Sequence, residues 1–311
     1  MREGIVVSYS QYVVARVQAL RLYFVALPAV WRGMLWVALS GFVFTVMNAE
    51  LRRLSMQLDP FQAQFLRYLM GALVMLPLLM RHGWAVYKPK NLKGQFWRGA
   101  VHSLALVLWF TALPRIGLAE TTAIGFTGPI FVMLGAAWFL GERMRWERWV
   151  AALFGLSGVL VVVGPKLGAT DGWFTLVMLG SAPLFAASFL ITKTLTRTES
   201  AGSIVLWQSF IVALLSLPLG LIHWEAPTAW QWVAFAVTGV LGSTAHYCMA
   251  RGFGIADISA TQSLKFLDLI WAAGMGFLVF GDIPTQSTVI GASVILLATI
   301  WIANREHRRQ Y

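Results

Sequence analysis

Lys265 and Asp268 stand three residues apart in a run that carries no other charge between Ile258 and Phe280. In water such a pair is ordinary. At the centre of a membrane helix each charge costs roughly 2.5–3.5 kcal/mol, so the two must meet a partner, a cavity or a ligand. Their spacing puts them on one helix face with Gln262 and Ala272. Three chemistries fit. The two can form an internal ion pair that only lowers its own burial cost. Lys265 can meet a substrate carboxylate while Asp268 meets a substrate amine, or Asp268 can take up and release a coupling proton.

Other polar residues fall inside apolar runs. Arg67 follows "FQAQFL", and a buried guanidinium can hold a carboxylate through two parallel hydrogen bonds; a structural role, or snorkelling to the interface, is the competing reading. His102 and His246 are the histidines placed well inside such runs, where imidazole can relay a proton, donate to a ligand or simply pack. Trp109 and Tyr247, with Phe44 and Phe185, can stack on a planar substrate. Trp138 and Trp271 are further cavity candidates; most other tryptophans lie near span ends, where interfacial anchoring explains them. Gly125, Gly128 and Pro129 can interrupt a helix and free a backbone group for a ligand, although close helix packing also selects small residues. No pair of candidate ligands has metal-site spacing, and no metal or cofactor is expected.

These residues need apolar helices to hold them. Hydrophobic residues make up 58% of the 311-residue chain and charged ones 12%, with a mean hydropathy of +0.70; this is an all-α integral membrane protein, not a soluble domain, in which about a quarter of residues are charged. The net charge of +11 is spread over short connections, so no basic face for nucleic acid is expected. A single cysteine, Cys248, excludes a disulfide within one chain.

A spanning helix needs about 20 mostly apolar residues. Ten segments qualify: 33–51, 61–80, 98–113, 118–140, 147–164, 172–192, 203–222, 230–250, 258–280 and 286–303. With both termini in the cytoplasm, only Arg52, Arg53, Arg115 and Lys166 among the basic loop residues fall outside, as the positive-inside rule demands. The remaining division is a cytoplasmic leader (1–32), two five-helix units (33–166 and 167–303) and a basic cytoplasmic tail (304–311), in a bacterial inner membrane.

The two units repeat. Residues 118–155 align without a gap with 258–295 at an offset of 140, pairing Gly141-Glu142 with Gly281-Asp282. "SGFVF" (40–44) matches "SAPLF" (181–185), "WFTAL" (109–113) matches "YCMAR" (247–251), and Gln208 takes the place of Arg67. Five spans per unit make the second unit inverted relative to the first, and inverted repeats are the architecture of alternating access.

The duplicated small-residue pattern, "PIFV" (129–132), "LGE" (140–142), "FGD" (280–282) and the glycine-rich helix that follows resemble the EamA family of the drug/metabolite transporter superfamily, over nearly all of Trp31 to Ala303. The resemblance implies a ten-helix carrier of small molecules, similar to bacterial amino-acid exporters of the YddG type, with importers of S-adenosylmethionine or riboflavin on the same scaffold. It also implies that Glu142 and Asp282 cap or tether helix ends, with gating the lesser reading. Asp268-Leu269 departs from the pattern where the first unit has Gly128-Pro129. The expected function is secondary export of small metabolites, amino acids foremost, with a proton or counter-substrate as driver and the lipid bilayer as the surrounding partner. The alternatives are import of a cofactor-like molecule, a channel or a membrane enzyme. No G-x-x-x-x-G-K-[ST], H-E-x-x-H or G-x-S-x-G occurs, and the sequence leaves monomer and dimer equally open.

Overall fold

The computed structural model describes residues 24–116, 121, 124–125, 127–142 and 172–281, together with Arg16 and scattered positions between 143 and 301. All regular elements among them are helical. They are α1 (Ala29–Ser55), α2 (Pro60–His82), α3 (Leu92–Ala112), α4 (Gly128–Gly135), α5 (Gly172–Leu195), α6 (Ala201–Gly220), α7 (Ala229–Ile255), α8 (Ile258–Thr261) and α9 (Leu267–Met275), with a one-turn helix at Trp84–Tyr87. Among the described residues α1, α2, α5, α6 and α7 are long and apolar enough to cross a membrane. The expected spans 147–164 and 286–303 fall largely outside the described residues, as do most of the leader and the tail and all of Asp282.

Local chemistry sets the helix ends. Asp59 accepts from the amides of Phe61 and Gln62 at the start of α2, and Pro60 fills a position that needs no donor. Asn91 accepts from Gly94 N and starts α3 six residues before the expected span. Thr228 and Gln231 form a capping box on α7. α4 runs into a π-helical segment, Ala136–Leu140, that stops at Gly141 with φ 67°; α9 runs into another, Gly276–Phe280, that stops at Gly281 with φ 70°. Both stops need the left-handed conformation that glycine adopts without penalty. They lie 140 residues apart, the offset of the sequence repeat.

Polarity is distributed inside out. Val233, Val237 and Val240 line the exposed side of α7, while Thr238, Ser243 and His246 are buried. Outward apolar and inward polar faces suit a hydrocarbon solvent. The principal packing pairs are α1 with α7, α3 with α5, α2 with α6, α2 with α7 and α3 with α6. α4 packs on α5, and α9 on α1. Exchanging α1 with α5, α2 with α6, α3 with α7 and α4 with α9 leaves this set unchanged. Small residues permit the closest crossings: a Cβ on Gly33 of α1 would lie 2.5 Å from that of Ala256 and 3.1 Å from the carbonyl of Gly252 on α7.

A cavity lined by buried charge

A cavity of about 210 Å³ opens where α1, α2, α3, α5 and α7 meet α4 and the broken helix from 258 to 280. Its wall contains Lys265, Asp268, Arg67, His102, Trp109, His246, Gly128 and Pro129. Segment 258–280 is not one helix: α8 passes into a 3₁₀ stretch, Gln262–Phe266, before α9. With three residues per turn, side chains at i and i+3 eclipse one another. Gln262, Lys265 and Asp268 consequently all reach the cavity, whereas Ala272, expected on the same face, is fully buried against α1 beside Ala49.

Lys265 Nζ lies 3.4 Å from Asp268 Oδ2, their side chains 14% and 18% exposed. The ammonium also stands 5.6 Å from the Phe44 ring centroid, a distance at which a cation is attracted to the ring face. A Cβ on Gly41 of α1 would collide with the Asp268 carboxylate. The bare backbone of α1 is what lets that carboxylate close in.

Arg67 points inward and is 4% exposed, so it does not snorkel. Its guanidinium lies 3.8 Å from the Tyr68 ring centroid, one Nη donates to Met47 Sδ at 3.4 Å, and Nε has no described partner. Gly242 of α7 leaves the space it occupies. Arg98, one turn before His102 on α3, donates to Thr192 Oγ1 and to the carbonyl of Ile204. Neither arginine makes an ion pair among the described residues. The described charges in the cavity wall are thus two cations, Arg67 and Lys265, against one anion, Asp268.

His102 and His246 occupy the centre. Tyr68 Oη lies 2.9 Å from His102 Nε2, Ser188 Oγ lies 3.1 Å from His102 Nδ1, and Gln208 Nε2 lies 3.2 Å from His246 Nε2. Gln208, expected in the cavity wall, instead stands behind His246. Tyr247 is a correction: it is exposed and packs on Trp36 outside the cavity, because one residue along a helix rotates a side chain by about 100° from the inward direction of His246. Trp138 is exposed, and Trp271 packs edge to face on Phe42 at the outer surface, so the cavity expectation fails for both. Wall residues the sequence reading passed over include Asn48, Tyr68, Thr121 and Phe189. Tyr68 adjoins Arg67, and its neighbourhood was the available signal.

Glu142 stands apart from the cavity. Its carboxylate accepts from the amides of Ile258 and Ser259, at 3.0 and 3.1 Å, and from Ser259 Oγ at 2.6 Å, at the first turn of α8. From the other side of the same corner, Lys193 Nζ donates to the carbonyls of Phe253 and Ala256, both at 2.7 Å. A carboxylate on a helix start and an ammonium on a helix end both complement the helix dipole.

Apolar spanning helices around a largely apolar cavity that holds a few buried charges define a multi-pass membrane protein of the transporter kind. The chain belongs to the EamA-like transporter family, whose sequence pattern it matches twice, over residues 31–164 and 172–304. It is similar to the S-adenosylmethionine uptake transporter of Rickettsia prowazekii (strain Madrid E), 26% identical over 91% of this chain and 96% of that one. The riboflavin transporter of Rhizobium johnstonii is 31% identical over 89% of this chain and 93% of its own length. The pseudopaline exporter CntI of Pseudomonas aeruginosa (strain UCBPP-PA14) is 27% identical over 86% and 94%. A solved crystal structure shares the fold with a TM-score of 0.70 at 20% identity, over 88% of this chain and 98% of that one.

Proposed function

We propose that the chain is a secondary carrier of the bacterial inner membrane that exports small metabolites, amino acids first among them, with both termini cytoplasmic. It works by alternating access between two inverted five-helix units. The observation that carries this reading is the meeting of the Lys265–Asp268 pair with Arg67, an arginine with no counter-charge among the described residues, in one cavity walled by helices from both halves. A buried guanidinium without an ion-pair partner among the described residues calls for an anion. A substrate carboxylate answers Arg67 or Lys265, and its ammonium answers Asp268. The doubled family match, the interchangeable packing pairs and the paired π-helical ends all favour duplication, and an odd number of spans per unit inverts the second. A proton or a counter-substrate supplies the driving force.

Uptake of labelled amino acids into proteoliposomes tests the assignment. Lys265→Ala and Asp268→Ala are expected to abolish transport, and unchanged transport by both would remove the pair from the mechanism. A second reading, import of a cofactor-like molecule, is favoured by the relatives named for S-adenosylmethionine and riboflavin and by the aromatic wall of Phe44, Trp109, Phe185 and Phe189. Growth rescue of an auxotroph supplied with the vitamin or cofactor separates the two.

A further inference from the structure

Gly125 and Gly128 line the cavity, yet no packing among the described residues explains them. A Cβ built on either meets nothing within 4 Å, unlike Gly33, Gly239 or Gly252, where a neighbouring helix would be struck. Backbone conformation does not explain them either, because the glycines with positive φ among the described residues are Gly83, Gly141 and Gly281. In a helix interior glycine costs about 1 kcal/mol relative to alanine; Gly128 opens α4, and at Gly125 no close crossing or positive φ among the described residues accounts for the choice. At the repeat offset of 140, Gly125 matches Lys265 and Gly128 matches Asp268, so one stripe of the wall is charged while its counterpart is bare.

The space beside the bare stripe is chemically furnished. Thr121, one turn before Gly125, is 5% exposed, lines the cavity and leaves Oγ1 without a described partner. Arg67 Nε and His246 Nδ1 in the same wall are also unpartnered. Aromatic rings of Phe44, Trp109, Phe185 and Phe189 supply other parts of the wall, and such rings stack on flat molecules. We infer that Gly125 and Gly128 form a side-chain-free wall that sets the bulk of the substrate admitted, and that the admitted class is a carboxylate bearing a flat ring. The inference rests on the carrier reading above for its choice of amino acids as probes.

Two measurements on the full chain test it. In a Cys248→Ala background, Gly125→Cys and Gly128→Cys are labelled with the anionic reagent methanethiosulfonate ethylsulfonate in proteoliposomes. Gly274→Cys is the control, because Gly274 is exposed outside the cavity with equally open space at its Cβ. Cavity positions are expected to react at least about tenfold faster, since a charged reagent is excluded from a lipid-facing site. In the second measurement, thermal-shift titrations compare L-tryptophan with L-alanine on the wild type, Gly125→Leu and Gly128→Leu. The leucines are expected to weaken L-tryptophan binding by about tenfold or more and L-alanine binding by about threefold or less, the range a few methylenes command in a pocket. Slow labelling at both cavity positions overturns the wall and leaves the carrier reading standing. Fast labelling with equal loss of both amino acids overturns the control of bulk. Fast labelling with a wild type that binds neither amino acid overturns both the ring-bearing class and the amino-acid reading, while uptake of other metabolites still tests transport.

Discussion

His102 and His246 meet edge to face, with ring centroids 5.5 Å apart and planes at 74°, and their neighbours match across the two halves. Phe185 of α5 lies 5.2 Å from His102 and Phe44 of α1 lies 4.8 Å from His246, both edge to face. Tyr68 of α2 holds one imidazole and Gln208 of α6 the other. The pair thus joins the halves through helices that exchange under the same swap as the packing.

Breaking the two hydrogen bonds has unequal consequences. Tyr68→Phe leaves His102 its bond to Ser188, and the loss is expected near 0.6 kcal/mol, the average for hydrogen bonds between membrane helices. Gln208→Leu removes the one described hydrogen-bond partner of His246, and the loss is expected at about 1–3 kcal/mol. Reversible unfolding in mixed detergent measures both, and equal effects would contradict the asymmetry.

Removing one member of the Lys265–Asp268 pair strands the other in a low-dielectric wall. Lys265→Met alone is expected to destabilise by about 3 kcal/mol, whereas the double change Lys265→Met/Asp268→Leu recovers most of that stability without recovering transport. Gly41→Ala pushes the carboxylate away from α1 and is expected to resemble a weakened pair. Thermal unfolding with parallel flux assays separates stability from function.

Arg67 should not tolerate a lysine. The planar guanidinium stacks on Tyr68 and holds an unpartnered Nε; an ammonium retains the charge but neither the stack nor the two-pronged geometry. Arg67→Lys and Arg67→Gln are both expected to lower the affinity for a carboxylate substrate by about tenfold or more, about 1.4 kcal/mol, in equilibrium binding. Full retention by the lysine variant would reduce the role to a point charge.

Glu142 anchors the segment that carries the cavity charges. Glu142→Ala is expected to cost about 1–2 kcal/mol, the range for losing a good helix cap, and to raise hydrogen exchange at the amides of Ile258 and Ser259. Glu142→Gln, which still accepts a hydrogen bond, should lie between. Unaltered exchange at those amides in the alanine variant would show that water or the backbone replaces the carboxylate.

Membrane character, the helix boundaries of α1, α5 and α6 to within a few residues, and the repeat offset were legible because each is written as a run or a period. Lys265, Asp268 and Arg67 were legible for a different reason: a charge in an apolar run is conspicuous in any register. What escaped was direction within a helix. Tyr247 and His246 are neighbours in sequence yet point about 100° apart, one out and one in, and a helix nearly uniform in hydropathy offers no phase from which to tell them apart. The 3₁₀ stretch at Gln262–Phe266 was hidden too, because no proline or glycine marks it. Gly41 and Gly242 carry their meaning only through what approaches them from another helix.

The bare stripe at Gly125 and Gly128, set against the charged one at Lys265 and Asp268, means that the two copies cannot stand in for each other. A chain assembled from two first halves would have a neutral chamber at these positions, and one assembled from two second halves would crowd two lysines and two aspartates into the same volume. The family pattern occurs twice in the chain; divergence at two positions, three residues apart, left one stripe bare and made the other charged.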